Sequence, residues 1–96
     1  MELYIFGRFR AREGQESSVG AAIADVVGPT GEEPGCLSVH AFRSIRDPRL
    51  FYIHSRWVNE EAFETHAALP HTVRFIERVE PLIDHAPDIA RTEIVA

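Results

Sequence analysis

The chain opens on an alternation. From Leu3 to Arg12, Ile5, Gly7, Phe9 and Ala11 fall on one side, and Tyr4, Phe6, Arg8 and Arg10 on the other. That is the period-two pattern of a strand. Glu13-Gly14 breaks it. From Gln15 the period lengthens: Val19, Ala22, Ile23, Val26 and Val27 recur at helical spacing. Gly28-Pro29-Thr30-Gly31 is expected to end that helix, and Glu32-Glu33-Pro34-Gly35 to form a loop. Cys36 to Ser44 alternates again, with Leu37, Val39 and Ala41 on one face and Ser38, His40 and Phe42 on the other. Arg46-Asp47-Pro48-Arg49 reads as a hairpin turn. Leu50 to Val58, rich in aromatic and β-branched residues, reads as a third strand.

Asn59 is a good helix N-cap, with Glu60 and Glu61 in the first turn, where acids suit the helix dipole. Ala62, Phe63, His66 and Ala67 make a helical stripe. Pro70 either kinks the helix or restarts it. Val73, Ile76, Val79 and Ile83 carry the stripe on, and Ile89 to Val95 reads as a last strand. The order β-α-β-β-α-β predicts an α+β fold: a ferredoxin-like plait with a four-stranded antiparallel sheet and both helices on one face.

Such a plait leaves one sheet face bare. With Ile5, Phe9, Leu37, Val39, Tyr52 and His54 set toward the helices, the bare face carries Phe6, Phe42, Phe51, Ile53 and Trp57, together with Arg8, Ser38, His40 and Ser55. So much exposed apolar surface predicts a second sheet packed against it, giving a homodimer. The enclosed space, apolar with a few polar groups, has the composition of a small-molecule pocket.

Composition narrows the chemistry. The chain has 96 residues, expected to form a single domain over residues 1–96. All ten basic side chains are arginine. Without lysine, Schiff-base and P-loop chemistry are excluded. The lone Cys36 makes no internal disulfide or cysteine-rich metal site, and reads as a small buried hydrophobe. A formal net charge of −5 argues against nucleic-acid or anionic-membrane partners. No apolar run nears the roughly 18 residues of a membrane span, and a cytoplasmic protein is expected. An RNA-binding plait is excluded because Leu50 to Trp57 lacks the glycine–aromatic pattern of such sheets.

Gly7-Arg8-Phe9-Arg10-Ala11-Arg12-Glu13-Gly14 resembles the first strand and turn of antibiotic biosynthesis monooxygenase domains. So does Pro34-Gly35-Cys36-Leu37-Ser38 at the second strand. The strongest resemblance runs from Phe51 to His71: a strand ending at Trp57, an Asn-Glu-Glu helix start, His66, then Pro70-His71. It implies a dimeric α/β barrel with one pocket per subunit. In such a pocket a phenol, hydroquinone or anthrone is oxidised by O2, with no metal and no flavin. Three positions depart from relatives. Ser55 stands where many, including sugar-like ketone isomerases, carry a glutamate. The heme-degrading branch has an asparagine near Gly7 and a histidine near Ile76, both absent here. Ile53 replaces an asparagine of the polyketide-tailoring branch.

On this reading a flat substrate ring packs against Trp57, Phe42 and Phe6. His40 or His66 takes the phenolic proton. Arg8 holds the oxyanion or pairs with a carboxylate across the dimer. Ser38, Ser55, Ile53 and His71 complete the pocket. Each has a plainer role open to it. Trp57 can be core, His40 an interface residue, His66 a helix-packing group and His71 a helix cap. His66 and His71 are five apart with a proline between, which is wrong for an i, i+4 metal pair, and no metal is expected. His85 and His54 read as structural, and Arg43, Arg46 and Arg49 as a solvated face. The alternative function is a non-redox binding, isomerising or detoxifying member of the same superfamily.

Overall fold

The computed structural model describes residues 1–96. Strand β1 spans Leu3–Arg10, helix α1 Glu16–Gly31, strand β2 Cys36–Arg43, and strand β3 Leu50–Trp57. Helices α2, Glu60–Ala68, and α3, Pro70–Val79, follow; a short 3-10 turn, Glu80–Leu82, then leads to strand β4, Asp88–Thr92. The sheet order is β2-β3-β1-β4 with every pair antiparallel. This is the expected ferredoxin-like α+β plait. No helix is long and apolar enough to cross a membrane.

Pro70 restarts the helix rather than kinking it. Leu69 sits between α2 and α3 in extended conformation (φ −71°, ψ 148°), the geometry imposed on a residue before proline. Pro70 then occupies the first turn, where its missing N–H costs nothing. Asn59 caps α2, its Oδ1 accepting from the Ala62 N–H at 2.8 Å. Helix α1 runs through Pro29 to Gly31, one turn beyond expectation, and buries Thr30. Strand β4 is shorter than expected; Ile94 and Val95 lie outside it and are exposed.

The core joins Phe9 and Ala11 to Phe51, to Val19, Ala22, Ile23 and Val26 of α1, and to Phe75, Val79 and Ile83. Phe9 and Phe75 meet edge to face at 5.7 Å. The buried stripe of α3 is therefore Thr72, Phe75 and Val79, and Val73 is exposed.

The sequence expectation fails at the phase of β3. Ile5 pairs with Ser55, Gly7 with Ile53, and Phe9 with Phe51. Directly paired residues share a sheet face. Phe51, Ile53, Ser55 and Trp57 therefore face the helices, and Tyr52, His54 and Arg56 face away. Both faces of β3 carry rings, so its alternation alone is ambiguous; the more apolar set belongs inside. The open face holds Phe6 and Phe42, about half exposed, with Arg8, Ser38, His40, Tyr52 and His54. His54 stacks on Phe6 at 4.5 Å, and its Nδ1 donates to the Ile5 carbonyl at 3.0 Å.

One corner ties the ends of the fold together. The Arg49 backbone and side chain both bond Ala11, whose N–H reaches the Arg49 carbonyl at 2.7 Å and whose own carbonyl accepts from Arg49 Nε at 2.8 Å. Asp84 accepts from Arg49 at 3.1 Å and from Arg10 at 3.3 Å. Arg49 is thus a structural anchor, not part of a solvated face. The hydrogen bond from His85, then the charges of Arg10 and Arg49, hold the Asp84 carboxyl below its ordinary value of 3.8. A depressed carboxyl contributes stability above its unfolded value and loses it as pH falls through the folded one. Asp84→Asn is expected to lower the melting temperature at neutral pH. The deficit should vanish well below pH 3.8, as thermal unfolding followed by circular dichroism across pH would read.

Candidate active site

A cavity of about 280 Å³ lies between the sheet and the helices. Its floor is Ile5, Gly7 and Phe9 of β1, Val39 of β2, and Ile53 and Ser55 of β3. Its roof is Val26 and Thr30 of α1, Phe63, His66 and Ala67 of α2, and Thr72, Phe75 and Ile76 of α3; Ile89 closes the β4 side. Gly7 keeps it open: a Cβ there would meet Ile89 Cδ1 at 3.2 Å and Phe9 Cε1 at 3.3 Å. The walls are apolar except for Thr30, Ser55, His66 and Thr72, and no charged side chain lines the cavity.

His66 is the titratable group in that wall. Its Nδ1 lies 2.8 Å from Glu33 Oε2. The same oxygen lies 2.7 Å from His71 Nε2, and Thr72 Oγ1 is 3.3 Å from His66 Nδ1. Glu33 is 9% exposed, His66 13% and His71 22%. A carboxylate only accepts, so both imidazoles donate to it. This fixes His66 with its proton on Nδ1 and leaves Nε2 as the nitrogen able to accept. The arrangement is that of a carboxylate orienting a general-base imidazole. Three segments converge to build it: the loop after α1, helix α2, and the first turn of α3.

Trp57 and Ser55 stand beside this cluster. Trp57 is 1% exposed and lies behind the cavity wall rather than in it. Its Nε1 donates to Ser55 Oγ at 2.9 Å, which leaves the Ser55 hydroxyl proton free to donate into the cavity. The indole packs against His66 at 4.7 Å and Phe63 at 5.7 Å. Trp57 therefore packs on the ring of His66 from behind the cavity wall. Arg91 of β4 holds α2 from outside, bonding Glu60 at 2.8 Å and also Glu64, and lying over the Phe63 ring.

The structure brings His66, Ser55 and Ile53 to the cavity, and sets His71 beside His66, at 6.2 Å between rings, facing an outer groove. It does not bring Arg8, His40, Phe6, Phe42 or Ser38 there. These stand on the opposite face of the sheet, because β1 and β2 put their even-numbered positions outward. Glu33 was not legible as a site residue. It sits in an acidic loop, and its partners are 33 and 38 residues away. The one local hint is a pair of histidines five apart, both needing a common acceptor. Burial, then the charge of Glu33, push the Cys36 thiol above its ordinary value. It stays a neutral group, donating to the Ser38 carbonyl at 3.5 Å.

The sequence model of a family described as antibiotic biosynthesis monooxygenase matches residues 3–78. Among solved structures, the fold is similar to that of a Mycobacterium tuberculosis protein, with a TM-score of 0.94 and 20% identity over 100% of this chain and 97% of that one. A Pseudomonas aeruginosa protein is similar with a TM-score of 0.92 and 25% identity, over 99% of this chain and 95% of that one. So is a structure of an antibiotic biosynthesis monooxygenase, with a TM-score of 0.92 and 20% identity over 98% and 99% of the two chains. No curated protein matches the sequence at a comparable level.

Gly35 sets the spacing between the Glu33 loop and α2. A Cβ at Gly35 would lie 2.5 Å from Ala62 Cβ, a distance that forces backbone apart. Gly35→Ala is expected to destabilise the protein by about 1–3 kcal/mol, the usual cost of overpacking. Adding Ala62→Gly should return most of that loss. Urea unfolding of the single and double variants reads the coupling.

Proposed function

The chain belongs to the antibiotic biosynthesis monooxygenase family, and from that premise we propose that it oxidises a small, uncharged aromatic hydroquinone or phenol with O2. The observation that carries this reading is an apolar cavity whose one titratable wall group is an imidazole oriented by a buried carboxylate.

The chemistry follows from those groups. The substrate ring lies between the aliphatic floor and the Phe63 and Phe75 rings. Its hydroxyl meets His66 Nε2, which takes the proton. Glu33 stabilises the imidazolium that forms, as a carboxylate partner does. The Ser55 hydroxyl donates to the resulting phenolate oxygen. The electron-rich anion reduces O2, which the dry apolar walls admit along with the ring. For a hydroquinone, one oxygen atom enters the ring and the other leaves as water, giving a hydroxyquinone. The substrate supplies all the electrons, so the reaction balances without a further reductant. The absence of any lining cation favours a neutral substrate over a phosphorylated one.

A homodimer belongs to the same proposal. Phe6, Phe42 and Tyr52, with His54 stacked on Phe6, give the open sheet face an aromatic patch that a second copy would cover. Arg8, which pairs in register with Tyr52 and Asp88, and His40 border that patch. Their role is then at the interface rather than in the cavity.

The test of the reaction is oxygen uptake. Hydroquinones of one to three fused rings are equilibrated anaerobically with the protein, and O2 is then admitted. We expect substrate-dependent uptake with a hydroxyquinone product, and a loss of about 10²-fold or more in kcat for His66→Ala, the usual contribution of a general base. Turnover that persists without O2 would instead establish proton-transfer chemistry, such as isomerisation. No turnover across the set would overturn the oxidative reading.

The assembly is tested separately by light scattering. A mass of twice the 10.8 kDa chain is expected, falling to the monomer in Phe6→Glu.

A further inference from the structure

The Glu33 cluster has a second capacity, one that does not depend on the redox reading. Three donor atoms from three separate segments, Glu33 Oε2, His66 Nδ1 and His71 Nε2, lie within 4.8 Å of one another. Both imidazole nitrogens point at the same carboxylate oxygen, from 2.8 Å and 2.7 Å. Ligand bonds of about 2.0–2.2 Å place neighbouring donor atoms of a tetrahedral ion about 3.4 Å apart. The two Glu–His spacings are hydrogen-bond contacts about 0.6 Å shorter than that, so both rings draw back slightly from the carboxylate as an ion enters. The His–His spacing closes by a small turn of His71, which at 22% exposed sits in the first turn of α3 with room to move.

The donor set is two imidazoles and one carboxylate. That set suits zinc, cobalt and their neighbours, and not magnesium or calcium, which take oxygen. Three protein ligands leave a further coordination position for water. The surroundings are favourable: Trp57 and Phe63 pack against the His66 ring and fix its plane. On the outer side His71 borders a groove holding Asp25, Arg74 and Arg78.

We propose that Glu33, His66 and His71 form a binding site for a divalent transition-metal ion of the zinc or cobalt type. Binding requires the lone pairs of His66 Nδ1 and His71 Nε2, so each ring carries its proton on the other nitrogen. For His66 this turns Nε2 from an acceptor into a donor. The metal-loaded state and the proton-accepting state therefore exclude each other, and the ion acts as an inhibitor of any base chemistry at His66.

The experiment needs no turnover. The protein is stripped with a chelator and titrated with Co2+ alone. One equivalent per chain should bind, with visible d–d absorption of a four- or five-coordinate ion. Zn2+ should displace it. Glu33→Gln and His71→Ala should each weaken Co2+ binding by about 10–100-fold, while His85→Ala leaves it unchanged; circular dichroism confirms that each variant is folded. His71→Asn serves if His71→Ala is not. Wild-type protein that binds less than one equivalent at millimolar Co2+ overturns the proposal. So does binding that the Glu33 and His71 variants leave unchanged. Where a substrate is in hand, Zn2+ should suppress turnover and the chelator restore it; this arm bears on the exclusion of the two states only, and activation by Zn2+ would overturn that exclusion.

Discussion

The register between β1 and β3 is the constraint on which the rest depends. Ile5 opposite Ser55, Gly7 opposite Ile53 and Phe9 opposite Phe51 commit both central strands to one choice of inner face. Slipping β3 by one residue would turn Tyr52, His54 and Arg56 into the core and expose Trp57. The same register makes a cavity rather than a solid core. Gly7 and Ser55 are small, and they lie diagonally across the two central strands, Gly7 opposite Ile53 and Ser55 opposite Ile5. Large residues flank them at Phe9, Phe51 and Trp57. Helices held off by those rings cannot collapse onto the small ones, and a void remains between.

Its chemistry comes from what the helices bring over that void. A buried carboxylate is costly unless it is fully hydrogen-bonded. Glu33 offsets that cost at Oε2, which accepts from both imidazoles, and the need is mutual, since each ring also has a nitrogen to satisfy. The cluster therefore fastens the loop after α1 to α2 and α3 while it sets the His66 tautomer. Gly35 allows the approach, because any side chain there would strike Ala62. Trp57 adds the remaining restraint: its N–H occupies Ser55, and its ring face fixes the plane of His66. Stability and preorganisation are here the same set of contacts.

The plait itself is legible in the sequence because its signals are local. Period changes at Glu13-Gly14 and Asn59, the proline at 70 and the hairpin at 46–49 each mark an element boundary without reference to the rest of the chain. Inner and outer faces are legible only where one alternate set is clearly more apolar. That holds for β1, and it fails for β3, where Tyr52 competes with Phe51 and Ile53. Long-range pairing settles the matter and sets Phe51, Ile53, Ser55 and Trp57 toward the helices, the side on which the cavity opens. His66 and Ser55 remained among the candidates because their residue types suit the chemistry on either face. Glu33 had no such signal; an acid in a Glu-Glu-Pro-Gly loop looks solvated until the fold buries it.

The place of the cavity, under the helices, also changes what the arginines mean. All ten basic side chains are arginine, and Arg8 at first looked like the one that enters an apolar pocket. It does not, and neither do the others. Arg10 and Arg49 are spent on Asp84, Arg91 on α2, and Arg56 on Glu2. The cavity is left without a fixed positive charge, so an anionic ligand would enter with no counter-charge beyond an imidazole already committed to a carboxylate. Its full desolvation cost would stand. A neutral ring with one acidic hydroxyl avoids that cost until the proton moves. At that moment the charge appears beside a newly formed imidazolium, and Glu33 balances it from behind. On the proposed reaction the selectivity of the site therefore lies in charge that is absent from the ground state and created in place.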